Sequence, residues 1–177
     1  MRACNIKNFI TKRIIERRRK LKLLPSLNDA FCEQISIEYH NQLIYAQIAS
    51  YFEDLQLKKI SEYFRKQSDD EKSHADKFIA HINDRTGGEV SLASIPSPVS
   101  TQGMKILDIA NTYVQTEEST TESIESLYDM ANDEKSFIDL PFLLDMLQEQ
   151  VSEEDEAQEF ALKATKVTDL ILWDSGF

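Results

Sequence analysis

The chain has 177 residues, 41% hydrophobic and 29% charged, with a net charge of −11. That composition is globular rather than disordered, and the length suits one domain with its own core. No apolar run approaches the roughly 20 residues that a bilayer-crossing helix needs. Cys4 and Cys32 form neither a CxxC pair nor a disulfide-rich pattern, which points to a reducing, cytoplasmic setting.

The charge is unevenly spread. Residues 1–24 carry nine Lys and Arg against Glu16 alone, a balance of +8 that leaves −19 for the rest. An acidic body attracts cations and repels nucleic acid. The basic arm, with ERRRKLKLL at its end, has the opposite tendency. It reads as a solvated tail, a contact for nucleic acid, a contact for a neighbouring acidic subunit, or a mitochondrial or plastid targeting segment, which is Arg-rich and acid-poor. Thr11 is its only Ser or Thr, which weighs against targeting.

From Pro25 onward helical periodicity takes over. Leu27, Ala30, Phe31, Ile35, Ile37, Leu43, Ile44, Ile48 and Phe52 recur mostly at three- and four-residue steps, with Ser26 placed as N-cap. A second helix spans about 57–85, carries Leu57, Ile60, Phe64, Phe78 and Ile82 inward, and stops at Gly87-Gly88. GEVSLASIPSPVST, residues 88–101, has two prolines and no helical period, so it reads as an extended crossover. A third helix covers about 102–132 with Met104, Leu107, Ala110, Val114, Ile124, Leu127 and Met130 inward. A fourth starts near Leu140-Pro141, with proline in its first turn, and runs to about 172. Its apolar face includes Leu144, Leu147, Val151, Phe160, Val167 and Leu170. Two short links and one long one make residues 25–177 an all-α, four-helix bundle with a long crossover between helices two and three.

Polar residues interrupt those inward faces. Helix one holds Glu38 and, two turns later, Tyr45; helix two holds Glu71 and His74; helix three holds Glu117 within QTEESTTES. Helix four holds Gln150 and Glu153, with Glu149 beside them. Alone, Glu71-x-x-His74 is an unremarkable solvated face in an acidic protein. Several carboxylates in one dry interior, however, repel one another and are stable only beside a cation. Oxygen ligands with one imidazole suit iron and related first-row metals better than a thiolate zinc site does. Glu71 could bridge two irons, with His74 and Glu38 on one and Glu117 on the other.

The stretch from about residue 24 to 172 resembles the ferritins. The resemblance rests on LNDAFCEQISIEYHNQLIYAQIASYF, YFRKQSDDEKSHADKF, INDRTGGEVSLASIPSP, YVQTEESTTESIESL and LQEQVSEEDEA, in that order and spacing. It implies a ferroxidase that oxidises Fe(II) with O2 or H2O2 at Glu38, Glu71, His74, Glu117 and Gln150, with Tyr45 beside the metals as hydrogen-bond or electron donor. It implies Glu153 as an additional carboxylate, with Glu149 competing for a third metal position, and self-association into a hollow 24-subunit shell that stores the product. Lys72 stands where haem-binding bacterioferritins place methionine, so no haem is expected. Helix four lacks their second Glu-x-x-His. Leu140 and Leu143 replace the acids that line animal ferritin channels, and ILWDSGF ends the chain where a short fifth helix is usual, so that helix is expected to be absent. His40 and His81 fall outside the pattern, as surface or packing residues. Two other readings stand beside this one: a mini-ferritin-like protector of DNA acting through the basic arm, and a di-iron peroxidase without storage.

Overall fold

The computed structural model describes residues 22–177; the expectations placed on residues 1–21 lie outside them. Four long helices make up the chain: α1 (Pro25–Asp54), α2 (Lys58–Asn83), α3 (Ile106–Asp133) and α4 (Leu140–Lys166), followed by the short α5 (Leu170–Ser175). Among the described residues none of these helices is long and apolar enough to cross a membrane. The expected bundle with one long crossover is what the chain forms.

Local chemistry sets the boundaries. Leu24, with extended backbone, caps α1, and Pro25 occupies its first helical position, where a missing N–H costs nothing. Ser26 is therefore not the cap; it lies inside the helix and its hydroxyl donates to Glu134 at 2.8 Å, tying α1 to the end of α3. The α1–α2 link is only residues 55–57, turned by Gln56 at φ 61, which makes the two helices antiparallel neighbours. Helix α2 ends before Gly87 at φ 81 and Gly88, where a Cβ would sit 2.2 Å from the Ile82 carbonyl oxygen. Only glycine permits that approach.

The crossover runs along α1 and is stapled to it by side chains. Asn28 both donates to the Glu89 carbonyl and accepts from the Glu89 amide, each at 2.9 Å. His40 meets the Pro96 carbonyl at 3.1 Å, and Gln47 and Tyr51 donate to the carbonyls of Val99 and Met104. His40 is thus a packing residue, as expected.

Two apolar cores fill the bundle. One gathers Leu23, Leu27, Phe31, Ile35, Phe78, Ile82, Ile124 and Leu143; the other gathers Ile48, Phe52, Phe64, Tyr113, Ala157 and Phe160. Leu143 is buried in the first of them, so it is a core residue rather than a channel lining. Leu43, Leu107, Met130, Leu144, Val151 and Leu170, expected inward, are instead exposed at 37–67% in the single chain. At Met130, Leu144 and Val151 burial goes instead to a neighbour one position away, Ala131, Leu143 and Gln150.

The end of the chain departs most from expectation. Helix α4 stops at Lys166, six residues early, because Val167 turns to extended backbone. Asp169 then caps α5 by accepting from the amides of Ile171 and Leu172. A short terminal helix is present after all. Trp173 packs on Phe52 and Phe160, Phe177 on Tyr63, and the Asp174 carboxylate accepts from the Ile60 amide at 2.9 Å. That last bond supplies α2 with the first-turn acceptor that Leu57 lacks. Asp174→Ala should therefore cost about 1 kcal/mol, seen as faster amide exchange confined to the start of α2.

A buried carboxylate closes the opposite end. Asp139 is fully buried, paired with Arg85, bonded by Ser136 at 2.5 Å and met by His81 at 2.8 Å. Burial and the neighbouring Arg85 push His81 down to about 4, so it is neutral and stacks on Phe142. This is a structural role, and His81 joins it as a packing residue.

Candidate metal centre

Between the two apolar cores lies a polar layer. Gln34, Glu38 and Asn41 enter it from α1, Glu71 and His74 from α2, Glu117 and Thr120 from α3, and Gln150 from α4, all buried. The amphipathic pattern of each helix turns its polar interruption inward at this one level. Helix α3 tolerates so polar a middle because Thr112, Thr116 and Thr120 each donate to the carbonyl four residues back, at 2.8–2.9 Å.

Glu38 and Glu117 each have one oxygen fixed and the other bare. Gln34 donates to Glu38 Oε1 at 2.8 Å and is itself held by Ser123 at 2.6 Å. Tyr45 donates to Glu117 Oε1 in a short bond. The other oxygens, Glu38 Oε2 and Glu117 Oε2, together with Glu71 Oε2 and His74 Nδ1, are buried without any hydrogen-bond partner. Ligand atoms of Glu38, Glu71 and His74 all lie within 4.8 Å of one another, a spacing that one cation can span.

Buried polar atoms without partners are costly, and four of them lie in this layer. Their electrostatics agree. Burial, then the repulsion of Glu71, raises Glu38 well above the usual carboxylate range. Burial chiefly raises Glu71 too, with Glu117 and Glu153 adding to it. Glu117 is pushed up to about 7, by burial first, despite the lowering effect of Tyr45. Burial drives Tyr45 strongly upward as well, and it remains a neutral phenol. These are the signs of anions gathered without a counter-ion, and a bound divalent cation would reverse every one of them.

The fourth helix completes the layer differently. Gln150 is buried, but its polar atoms are satisfied: Thr121 donates to its oxygen at 3.0 Å and its amide nitrogen donates to Glu153. Glu153, 17% exposed, lies 3.3 Å from His74 Nε2, and Glu149, 41% exposed, lies 3.2 Å from the same nitrogen. Burial pushes Glu153 up to about 7. Beyond His74 a cleft of about 380 Å³ opens between α2 and α4, flanked by Asp70, Lys77, Glu149 and Glu153. Of the residues expected at the site, Glu38, Glu71 and His74 come together, Tyr45, Glu117 and Gln150 are buried in the same layer, and Glu149 and Glu153 line the cleft. Lys72 lies on the solvent face of α2 and pairs with Asp76 at 2.7 Å.

Several contributors escape a reading of the sequence. Gln34, Asn41 and Thr120 look like ordinary helix polar residues, yet Gln34 orients Glu38, and Asn41 donates to Thr120 at 2.9 Å within the layer. Tyr113 and Tyr63 form a hydroxyl pair at 3.0 Å leading from Tyr45 toward Glu156. The aromatic spacing alone signals only a core.

A family model described as the ferritin-like domain matches residues 28–167. A bacterial non-heme ferritin of Staphylococcus saprophyticus is 30% identical over 132 residues, spanning 75% of this chain and 78% of the relative. The lower subunit ferritin of Aquarana catesbeiana is 29% identical over 116 residues, 62% of this chain and 66% of that one. Among solved structures, an open pore ferritin from the archaeon Archaeoglobus fulgidus superposes with a TM-score of 0.83 at 29% identity, covering 88% of this chain and 97% of its own. The bundle, its buried acidic layer and these likenesses together establish that the chain belongs to the ferritin family of iron-storage proteins.

Proposed function

We propose that this protein is a ferroxidase that binds two Fe(II) ions within its own bundle, oxidises them, and stores the ferric product inside a shell of its own copies. The observation that carries this reading is the set of four buried, unpartnered ligand atoms on Glu38, Glu71, His74 and Glu117. Glu38, Glu71 and His74 surround one substrate ion, and Glu117, with Glu71 shared, faces the other. Each ion gives up one electron, and the pair reduces O2 with two protons to H2O2, or H2O2 with two protons to water. The Fe(III) produced hydrolyses to an oxyhydroxide.

The chain's own residues prepare this step in three ways. Gln34 and Tyr45 lock the rotamers of Glu38 and Glu117, so the free oxygens are aimed before substrate arrives. The apolar cores above and below exclude bulk water, which strengthens the pull of the carboxylates on a cation. Gln150, a neutral amide already shared with Thr121 and Glu153, is a weak and exchangeable ligand on the side where the cleft opens. Product would leave past it.

The rival of a DNA-protecting mini-ferritin is disfavoured by the ligand set itself. That class builds its site across a subunit interface, whereas Glu38, Glu71 and His74 converge within one chain. The decisive measurement is aerobic Fe(II) addition to the purified protein, followed by native mass and iron content. Rapid appearance of ferric absorbance, with hundreds of irons retained by a large particle, is expected. Oxidation no faster than in buffer removes the ferroxidase, and a small particle that retains only a few irons leaves a non-storage peroxidase in its place.

A further inference from the structure

The mouth of the centre carries a cation of its own. Lys77, one turn beyond His74 on α2, pairs its ammonium with Glu149, and Glu149 Oε2 is the atom that meets His74 Nε2 at 3.2 Å. Glu153 reaches the same imidazole nitrogen at 3.3 Å, and Asp70 shares the wall of the cleft. Four carboxylates, those of Asp70, Glu149, Glu153 and Glu156, therefore line one opening with Lys66 and Lys77, and Lys77 is the lysine paired with Glu149. As a stabilising contact this pair matters little, since Lys77 is 38% and Glu149 41% exposed, and ion pairs so open to water contribute little to stability. Its importance lies in where the charge is placed.

We propose that Lys77 is a specificity-determining residue whose tethered ammonium occupies the position of a further divalent cation at Glu149 and Glu153, limiting each subunit to the two ions bound inside the bundle. The inference rests on the ferroxidase reading, because it presumes that the inner layer binds cations at all. The chemistry is direct. A carboxylate already neutralised by an ammonium is a poor ligand, and a divalent ion brought beside that ammonium is repelled by it. With Lys77 in place, Glu149 holds the His74 ring from outside and the cleft serves as a passage. Without it, Glu149 and Glu153 still converge on His74 but no ammonium is paired with the Glu149 oxygen, and the passage becomes a trap for metal.

The test is anaerobic titration of the assembled protein with cobalt(II) alone, read from its ligand-field absorbance and from equilibrium dialysis, in the wild type, Lys77→Gln and Lys77→Arg. Two ions per subunit are expected in the wild type and in Lys77→Arg, which keeps the charge. Lys77→Gln should take up a third ion at least tenfold more tightly than the wild type does. Adding Glu149→Gln to Lys77→Gln should return the count to two. A wild type that binds three ions, or a Lys77→Gln protein that still binds two, overturns the assignment while leaving the ferroxidase reading intact. A wild type that binds no cobalt in the inner layer removes the ferroxidase reading, and this inference with it.

Discussion

Replacing Glu71 and His74 together by alanine should lower the initial rate of Fe(II) oxidation at least a hundredfold, a loss of about 2.7 kcal/mol in transition-state stabilisation. Glu71 is a buried carboxylate whose ligand atom lies within 4.8 Å of those of Glu38 and His74, and whose ionisation is opposed by burial first and also by Glu117. In the proposed ferroxidase, removing it would take a ligand from both substrate ions at once. His74 is the one imidazole among the buried ligand atoms that converge here. The fold should survive, because both residues lie in a polar layer with a complete apolar core on each side. The helical circular dichroism and native mass should match the wild type. An unchanged oxidation rate in a correctly assembled double variant would falsify the placement of chemistry in this layer, whatever the family.

Helix order, the crossover and the acidic layer were legible because each has a strong local signal. Apolar positions recur at helical steps, Gly87-Gly88 ends α2, and four helices each interrupt an apolar face with a carboxylate or amide. Where reading failed, the missing information was tertiary. Leu107 and Val151 fit a helical stripe as well as their neighbours do, yet they are 46% and 67% exposed, because the direction of the stripe depends on which helix packs where. The break after Lys166 was hidden by a continuing apolar pattern through Val167 and Leu170; its cause is the capping carboxylate of Asp169. Asp139 reads as a loop acid until Arg85 and Ser136 are brought to it. Lys77 reads as one more charge in a charged run, and only the position of Glu149, 72 residues away, gives it meaning.

The same electrostatics that suit this layer to a cation should make the metal-free protein lose stability as pH rises, the reverse of ordinary acid denaturation. Glu117 and Glu153 both stand at about 7 when folded, against an ordinary value of 4.5, and burial is the main cause in each. A carboxyl raised on folding holds a proton that the unfolded chain releases, so its contribution is complete below about 4.5 and is lost as pH climbs through 7. Moving one carboxyl over that interval is worth on the order of 3 kcal/mol. The two sites interact, so the total falls short of twice that figure, and Glu38 and Glu71 act in the same direction. In chelator, the unfolding midpoint should therefore be lower at pH 8 than at pH 5.5, and Glu117→Gln combined with Glu153→Gln should flatten the difference. Divalent metal should invert the trend, because binding expels those protons and is strengthened as they leave. Were the chelated wild type steadier at pH 8, with the glutamine variant following the same curve, these acids would have to be solvated, and the electrostatic case for a cation between the helices would be lost.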